Sequence, residues 1–285
     1  MKRILFLISV VVLLSGCLSR TEKGVLKPLS LKVAVNDIYC ADSACSCILD
    51  VAARTYPETL AQLAGEYGVE LQFDYFMDSY QLEDAIRSGQ YEAVLCKPWY
   101  AMRLNRQVET DYQRLVDVLD PGNGGVLTGI VIVPVDSSIQ SLEELNGRHV
   151  FLGEADCYEK HQAALRLFKQ QGIKPAKIGT NSSCVENIGV LQDGKADAAV
   201  ISDYALSADC AVDFANPEDF RILAHTEEIP LTSLLIDKNK VDDQQAFRIK
   251  QALLSVSGAD AAPSLFGQGF VDPRPWAPPE LEERP

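Results

Sequence analysis

Eight cysteines are the residues of this 285-residue chain whose type and spacing could do chemistry. One of them, Cys17, closes the tetrapeptide Leu14-Ser15-Gly16-Cys17, and the other seven are Cys40, Cys45, Cys47, Cys96, Cys157, Cys184 and Cys210. Thiolates are soft ligands suited to Cu(I), Zn(II), mercury-like ions or trivalent arsenic. Cys45-Ser46-Cys47 offers two sulfurs close in sequence that can chelate from an irregular loop. No CxxC pair accompanies it, so a zinc-ribbon signature is absent and a thioredoxin-like role is weakened; the lack of CxxCH excludes ordinary c-type haem attachment. Three roles stay open. The thiols can staple loops as disulfides, as Cys40 with Cys45 or Cys47, or Cys157 with Cys184. They can line a ligand site, in which a metal or metalloid would draw on Cys45, Cys47, Cys96, Cys157 and Cys184. They can also carry redox chemistry. Seven is an odd number, so disulfides within the chain cannot pair them all.

Those thiols must be held by something, and the chain opens with a segment that is not part of it. MKRILFLISVVVLLSGC has two basic residues, then an apolar run over Ile4–Leu14 interrupted by Ser9. The run is too short to span a bilayer with margin and reads as a cleaved export signal. Leu-Ser-Gly-Cys matches the bacterial lipoprotein box, in which the cysteine is acylated and becomes the mature N-terminus. Residues 1–16 are thus read as signal peptide and 17–30 as a tether from a lipid on Cys17, which puts the protein in the periplasm or at the cell surface. Loss of Lys2 and Arg3 takes the formal charge from −14 to −16. Such an acidic chain offers no basic stripe for nucleic acid.

Beyond the tether, strand-like and helix-like segments alternate, which predicts an α/β fold with mixed or parallel sheets. Strands are expected at Leu31–Val35, Val69–Phe76, Tyr91–Leu95, His149–Leu152, Ala196–Ser202, Phe220–Leu223 and Leu231–Ile236. Leu60, Leu63, Ala64 and Tyr67 mark a helix over Pro57–Tyr67, and Leu82, Ala85 and Ile86 mark another ended by Gly89. Gly124–Val133 reads as one long strand crossing between units. Ser141-Leu-Glu-Glu144 carries a capping-box signature. Further helices are expected over Tyr158–Gln171, Val185–Leu191 and Gln244–Val256. The units are placed at 31–125 plus 225–271 and at 126–224, followed by a Pro-rich tail, 272–285. Two units with the chain passing out and back make a cleft, and ligands in such sheets bind beyond the carboxyl ends of strands.

In this order the segments resemble the type II periplasmic binding proteins, specifically the phosphate/phosphite/phosphonate-binding family of ABC transporters. "LEDAIRSGQYEAVLCKPWYAMRL" is similar to that family's helix, glycine turn and strand followed by a Pro-x-Tyr loop. "IVIVPVDSSIQSLEELNGRHVFLGE" resembles its hinge strand and following helix, and "VLQDGKADAAVISDYAL" its late strand. The resemblance covers roughly residues 31–254. It implies a two-lobed α/β fold with a ligand cleft and a non-enzymatic solute-binding protein that closes on a small ligand. The partner would be an ABC permease or a membrane sensor kinase. Some periplasmic arsenite sensors are similar to the same family and use cysteine.

The ligand loops depart from the family's pattern. Where it has a Ser-Thr-Ser-Gly turn, this chain reads Asp156-Cys157-Tyr158-Glu159-Lys160; its Ser-x-His is here Ser182-Ser183-Cys184, and its Gly-Pro is Cys96-Lys97-Pro98. On this reading the thiols gather on loops facing one cleft. The candidate ligand residues are Tyr39, Cys40, Cys45, Cys47, Cys96, Trp99, Tyr100, Cys157, Tyr158, Ser183, Cys184 and Asp203. Asp37 and Asp203 could meet a cationic group or cap helices, and His161 could join a metal site from one turn beyond Cys157. A carboxylate pair, Asp156 and Glu159, is expected to repel phosphate. The alternative to a transport role is a periplasmic thiol protein acting as metal carrier, redox protein or sensor partner.

Overall fold

The computed structural model describes residues 27–37, 40, 56–105, 107–119, 125–155, 157–207, 215–256 and 269–276. Its strands are β1 (Leu29–Asn36), β2 (Val69–Tyr75), β3 (Ala93–Cys96), β4 (Tyr112–Val118), β5 (Val126–Leu127), β6 (Gly129–Pro134) and β7 (His149–Gly153). They continue with β8 (Lys177–Asn181), β9 (Ala198–Ser202), β10 (Phe220–His225), β11 (Ile229–Pro230), β12 (Ser233–Asp237) and β13 (Phe270–Val271). The α-helices are α1 (Pro57–Tyr67), α2 (Ser79–Arg87), α3 (Pro98–Leu104), α4 (Ala163–Gln171), α5 (Cys184–Gln192) and α6 (Asp243–Ser255).

Among the described residues the strands form two large sheets and one small ribbon. The first sheet runs β13-β4-β12-β3-β1-β2 and the second β10-β6-β9-β7-β8. Each has the same plan: three parallel strands (β2-β1-β3 and β8-β7-β9), then a strand running the opposite way beside the third. Helices cover both faces, so the strands are buried on both sides and read as apolar runs. In the first lobe Val33, Val35, Leu95, Leu234 and Ile236 share a cluster with Leu63 of α1 and Ile249 and Leu253 of α6. The alternate residues Ala34, Val94 and Leu235 join Leu82 and Ile86 of α2 and Leu104 of α3 on the other face. The second lobe repeats the alternation. Val131, Val133, Val150 and Val200 pack on Ala164 and Phe168 of α4, and Ile130, Ile132, Ala199 and Ile201 on Ile188 and Leu191 of α5. Period-two alternation thus assigns each side chain to one of four helix–sheet layers.

The chain leaves the first sheet after β4 and returns through β12. In both directions it passes through the ribbon in which β5 pairs antiparallel with β11. The expected single strand over Gly124–Val133 is therefore two strands, broken at Thr128, whose N–H and hydroxyl are both spent on Asp203 Oδ2 (3.2 and 3.1 Å). The expected helix over Tyr158–Gln171 is also two pieces, a π-helical turn over Tyr158–Gln162 running into α4. The segment after Pro98, expected as a loop, is α3. Ser141 places no side-chain cap on Leu142–Leu145, which is a 3-10 turn; Glu144 reaches back to the N–H of Gln140 instead (2.7 Å). Reciprocal capping boxes stand at Ser183/Glu186 on α5 and Asp242/Gln245 on α6. Of the tail, residues 272–276 pack on the first lobe: Arg114 donates to the carbonyls of Arg274 and Trp276, both at 3.0 Å.

Candidate functional site

The carboxyl ends of the parallel strands bring Lys97 after β3 toward residues 157–160 after β7, Cys184 after β8 and Ser202–Tyr204 at the end of β9. An ion pair between Lys97 and Glu159 joins the lobes there. Lys97 Nζ stands 3.0 Å from Glu159 Oε1, with the lysine side chain 10% exposed and the glutamate 1%. Ser202 Oγ donates to the same oxygen at 2.9 Å. Burial penalises both charges. For Glu159 the neighbouring Lys97 and Lys160 ammonium groups more than offset that penalty and hold its carboxyl below the usual range. For Lys97 the Glu159 carboxylate likewise outweighs burial and holds the ammonium above its ordinary value. Both groups are charged at neutral pH.

Lys160 is the second cation, 7% exposed. Burial lowers its pKa, but the nearby Cys184 and Cys157 sulfurs and Glu159 raise it more, so it too stays charged. Among the described residues its one hydrogen-bond acceptor is Cys184 Sγ at 3.7 Å, and no carboxylate stands within ion-pair distance. The same sulfur takes the Ser202 N–H (3.5 Å) and lies 3.8 Å from Ser202 Oγ. Among the described residues of the cleft, two buried carboxylate oxygens have no hydrogen-bond donor: Glu159 Oε2 and Asp203 Oδ1. Burial, offset in part by Thr128, raises the Asp203 carboxyl above its ordinary value.

Local backbone puts these groups in place. The π-helical turn after β7 inserts one more residue per turn than an α-helix would, a form that recurs at functional sites. Gly129 at the start of β6 admits it: a Cβ there would stand 2.2 Å from the Glu159 carbonyl oxygen. Thr226 Oγ1 donates to that same carbonyl (3.2 Å) while accepting from Gly129 N–H (2.7 Å). Gly153 makes room for the Lys160 stem, whose carbons would lie 2.8–2.9 Å from an added Cβ.

The structure divides the candidates. Cys157 and Cys184 flank Lys160, and Cys157 also acts electrostatically on Lys97. Cys40 and Cys96 are each fully buried in an apolar cluster, Cys40 within the first lobe and Cys96 in the cluster that reaches Tyr158. Burial raises the Cys96 thiol well above its ordinary value. The four described cysteines are not bonded to one another, so the Cys157–Cys184 staple is not formed. Among the described residues no three His, Cys, Asp or Glu side chains are grouped to hold a metal ion. His161 places Nδ1 2.6 Å from the Gly153 carbonyl. Asp37 is buried in the first lobe, accepting from Tyr56 Oη (2.6 Å) and Thr232 Oγ1 (3.2 Å). Ser183 serves α5 as its cap, accepting from Glu186 N–H (3.1 Å).

Trp99 and Tyr100 are buried on α3, where the Trp99 ring meets Tyr158 from the other lobe at 4.7 Å between centroids. Tyr158 donates to Glu227 and accepts from Arg166 (2.8 Å), and Trp276 meets its ring edge-on at 5.7 Å. Cys17, Tyr39, Cys45, Cys47, Asp156 and Cys210 lie outside the described residues. Sequence reasoning missed the role of Glu159 and missed Ser202. The signal for Glu159 was the adjacent Glu-Lys pair standing where the resembling family has hydroxyls; nothing local distinguished Ser202.

Two lobes on matching mixed sheets, joined by a two-stranded crossing and meeting at the carboxyl ends of their strands, define the type II periplasmic binding protein fold. Residues 50–274 match the family model "ABC transporter, phosphonate, periplasmic substrate-binding protein". The chain belongs to that family of transporter binding proteins. No curated protein matches the sequence. Among solved structures, XAC2383 from Xanthomonas citri bound to chloride is similar at TM-score 0.63 and 17% identity, over 86% of this chain and 92% of that one. PhnD1 from Prochlorococcus marinus in complex with methylphosphonate gives 0.56 and 13%, over 87% and 94%. The periplasmic aliphatic sulphonate binding protein SsuA from Escherichia coli gives 0.57 and 17%, over 83% and 74%. At these identities the likeness is one of fold. Among the described residues no helix is long and apolar enough to cross a membrane.

Proposed function

We propose that this protein is the lipid-anchored solute-binding component of an ABC importer, held to the membrane through Cys17, and that it closes on a small solute bearing an anionic group. The observation that carries the ligand class is Lys160: a buried ammonium with a sulfur at 3.7 Å as its hydrogen-bond acceptor has donors left for an anion. An isolated buried charge is costly, and a ligand oxygen would complete its shell. The unpartnered Glu159 Oε2 and Asp203 Oδ1 would accept from a hydroxyl or amino group on the same solute. No step in this reading needs a reaction, which accords with the family.

Titration calorimetry with methylphosphonate, methanesulfonate, arsenite and Zn(II) tests it. At least one of the two oxyanions is expected to bind wild type, and Lys160→Met is expected to weaken it about a hundredfold, the scale of a lost charge-assisted hydrogen bond. Binding of arsenite or Zn(II) alone, lost on Cys157→Ser or Cys184→Ser, would replace the anion by a thiophilic ligand. An anion affinity indifferent to Lys160→Met would remove the lysine from the site.

A further inference from the structure

Two donors, one from each lobe, converge on a single oxygen, and that oxygen belongs to the chain itself. Lys97 Nζ (3.0 Å) comes from beyond β3 and Ser202 Oγ (2.9 Å) from the end of β9, and both address Glu159 Oε1. An oxygen of a bound anion at that point would meet the same two donors. The carboxylate is carried there by the π-helical turn, through the close approach of its backbone to Gly129 and the Thr226 hydrogen bond. The next residue, Lys160, has no carboxylate of its own within ion-pair distance among the described residues. The charged and titratable groups facing Glu159 are Lys97, Lys160, Asp203 and Tyr204, with Cys157 facing both lysines and Cys184 facing Lys160.

We propose that Glu159 selects the charge of the ligand: by occupying Lys97 it leaves Lys160 as the uncommitted cation, so the cleft accepts a singly charged anionic group and rejects a doubly charged one of the same shape. A second negative charge would find its natural partner, Lys97, already neutralised, and would face the Glu159 carboxylate across a desolvated gap where like charges repel strongly. Asp203, which feels the Glu159 charge, adds to that repulsion. The proposal rests on the anion reading above and goes beyond it by naming the residue that discriminates.

The test compares two probes of one shape. Methylphosphonate passes from one negative charge to two between about pH 6 and about pH 8.5, whereas methanesulfonate keeps one throughout. In wild type, methylphosphonate affinity is expected to fall about tenfold or more across that range, while methanesulfonate changes by less than about threefold. The sulfonate also controls for titration of Cys157 and Cys184. In Glu159→Gln the fall for methylphosphonate should shrink to less than about threefold, because the released Lys97 meets the second charge. The double variant Lys97→Gln/Glu159→Gln removes the repelling carboxylate and the released ammonium together, so its fall should lie between those of wild type and Glu159→Gln; it also guards against a single variant that fails to fold. An unchanged slope in Glu159→Gln, with anion binding still lost in Lys160→Met, overturns the proposal and leaves the anion reading standing. Absence of binding by either probe to any of these proteins overturns both.

Discussion

Residue chemistry in this cleft is decided by how much company each buried group has. Cys40 and Cys96 are small hydrophobes in apolar clusters, whereas Cys157 and Cys184 are part-exposed and lie against a lysine. Thiol reactivity follows thiolate character and access. Iodoacetamide on the native protein is therefore expected to label Cys157 and Cys184 and to spare Cys40 and Cys96, which react only after unfolding. Peptide mass spectrometry reads the result, and labelling of Cys96 at the rate of Cys184 would contradict its burial. The four thiols look alike in the sequence. What separates them is which face of a strand or loop they occupy, and Cys96, last residue of a four-residue buried strand, turns toward the core.

At the scale of elements, the helices that deliver residues to the cleft are fixed by their own ends. α5 starts with a reciprocal box in which Ser183 accepts from Glu186 N–H and Glu186 Oε2 accepts from Ser183 N–H (3.0 Å). Its first residue, Cys184, then points at Lys160 and Ser202. Ser183→Ala should cost about 1 kcal/mol in chemical denaturation, the usual worth of an N-cap. Anion affinity should change less than about twofold, since the hydroxyl is a cap. A larger loss of affinity with little loss of stability would return Ser183 to the ligand site. The Ser-x-x-Glu pattern at 183–186 was as legible as the one at 141–144, yet only the former is a capping box. Local pattern permits a cap; the packing of the following residues decides whether a full helix uses it.

For the whole molecule, the Lys97–Glu159 pair is a closure that joins the lobes through charge. Lys97→Met leaves Glu159 buried without its main partner and should destabilise the protein by about 3–5 kcal/mol, read by denaturant unfolding. Small-angle scattering should show the same variant more open. The pH dependence follows from the two shifts. Glu159 titrates lower folded than unfolded, so its contribution is present above about pH 4.3 and is lost as pH falls through the depressed folded value. Lys97 titrates higher folded than unfolded, so its contribution is complete below about pH 10.4 and is lost as pH rises through the raised value. Thermal unfolding of wild type should thus be steady between these limits and fall on the acid side. An acid limb just as steep in Lys97→Gln/Glu159→Gln would assign it to other carboxylates.

The sequence by itself determined the architecture. Alternating apolar segments, glycine-ended helices and the spacing of three motifs were enough for a two-lobed α/β fold, because each strand and helix is a local pattern that one stretch of chain carries whole. It also marked the loops after β3, β7 and β8 as the place to look. Tertiary structure alone decided what those loops do. Lys97 and Glu159 are 62 residues apart, and nothing near either predicts that they neutralise each other. Ser202 joins them from a third strand, and a π-helical turn, made possible by Gly129 on a fourth, sets the direction of the carboxylate. A buried charge is defined by its partners, and partners brought from different strands exist only once both sheets have folded and met.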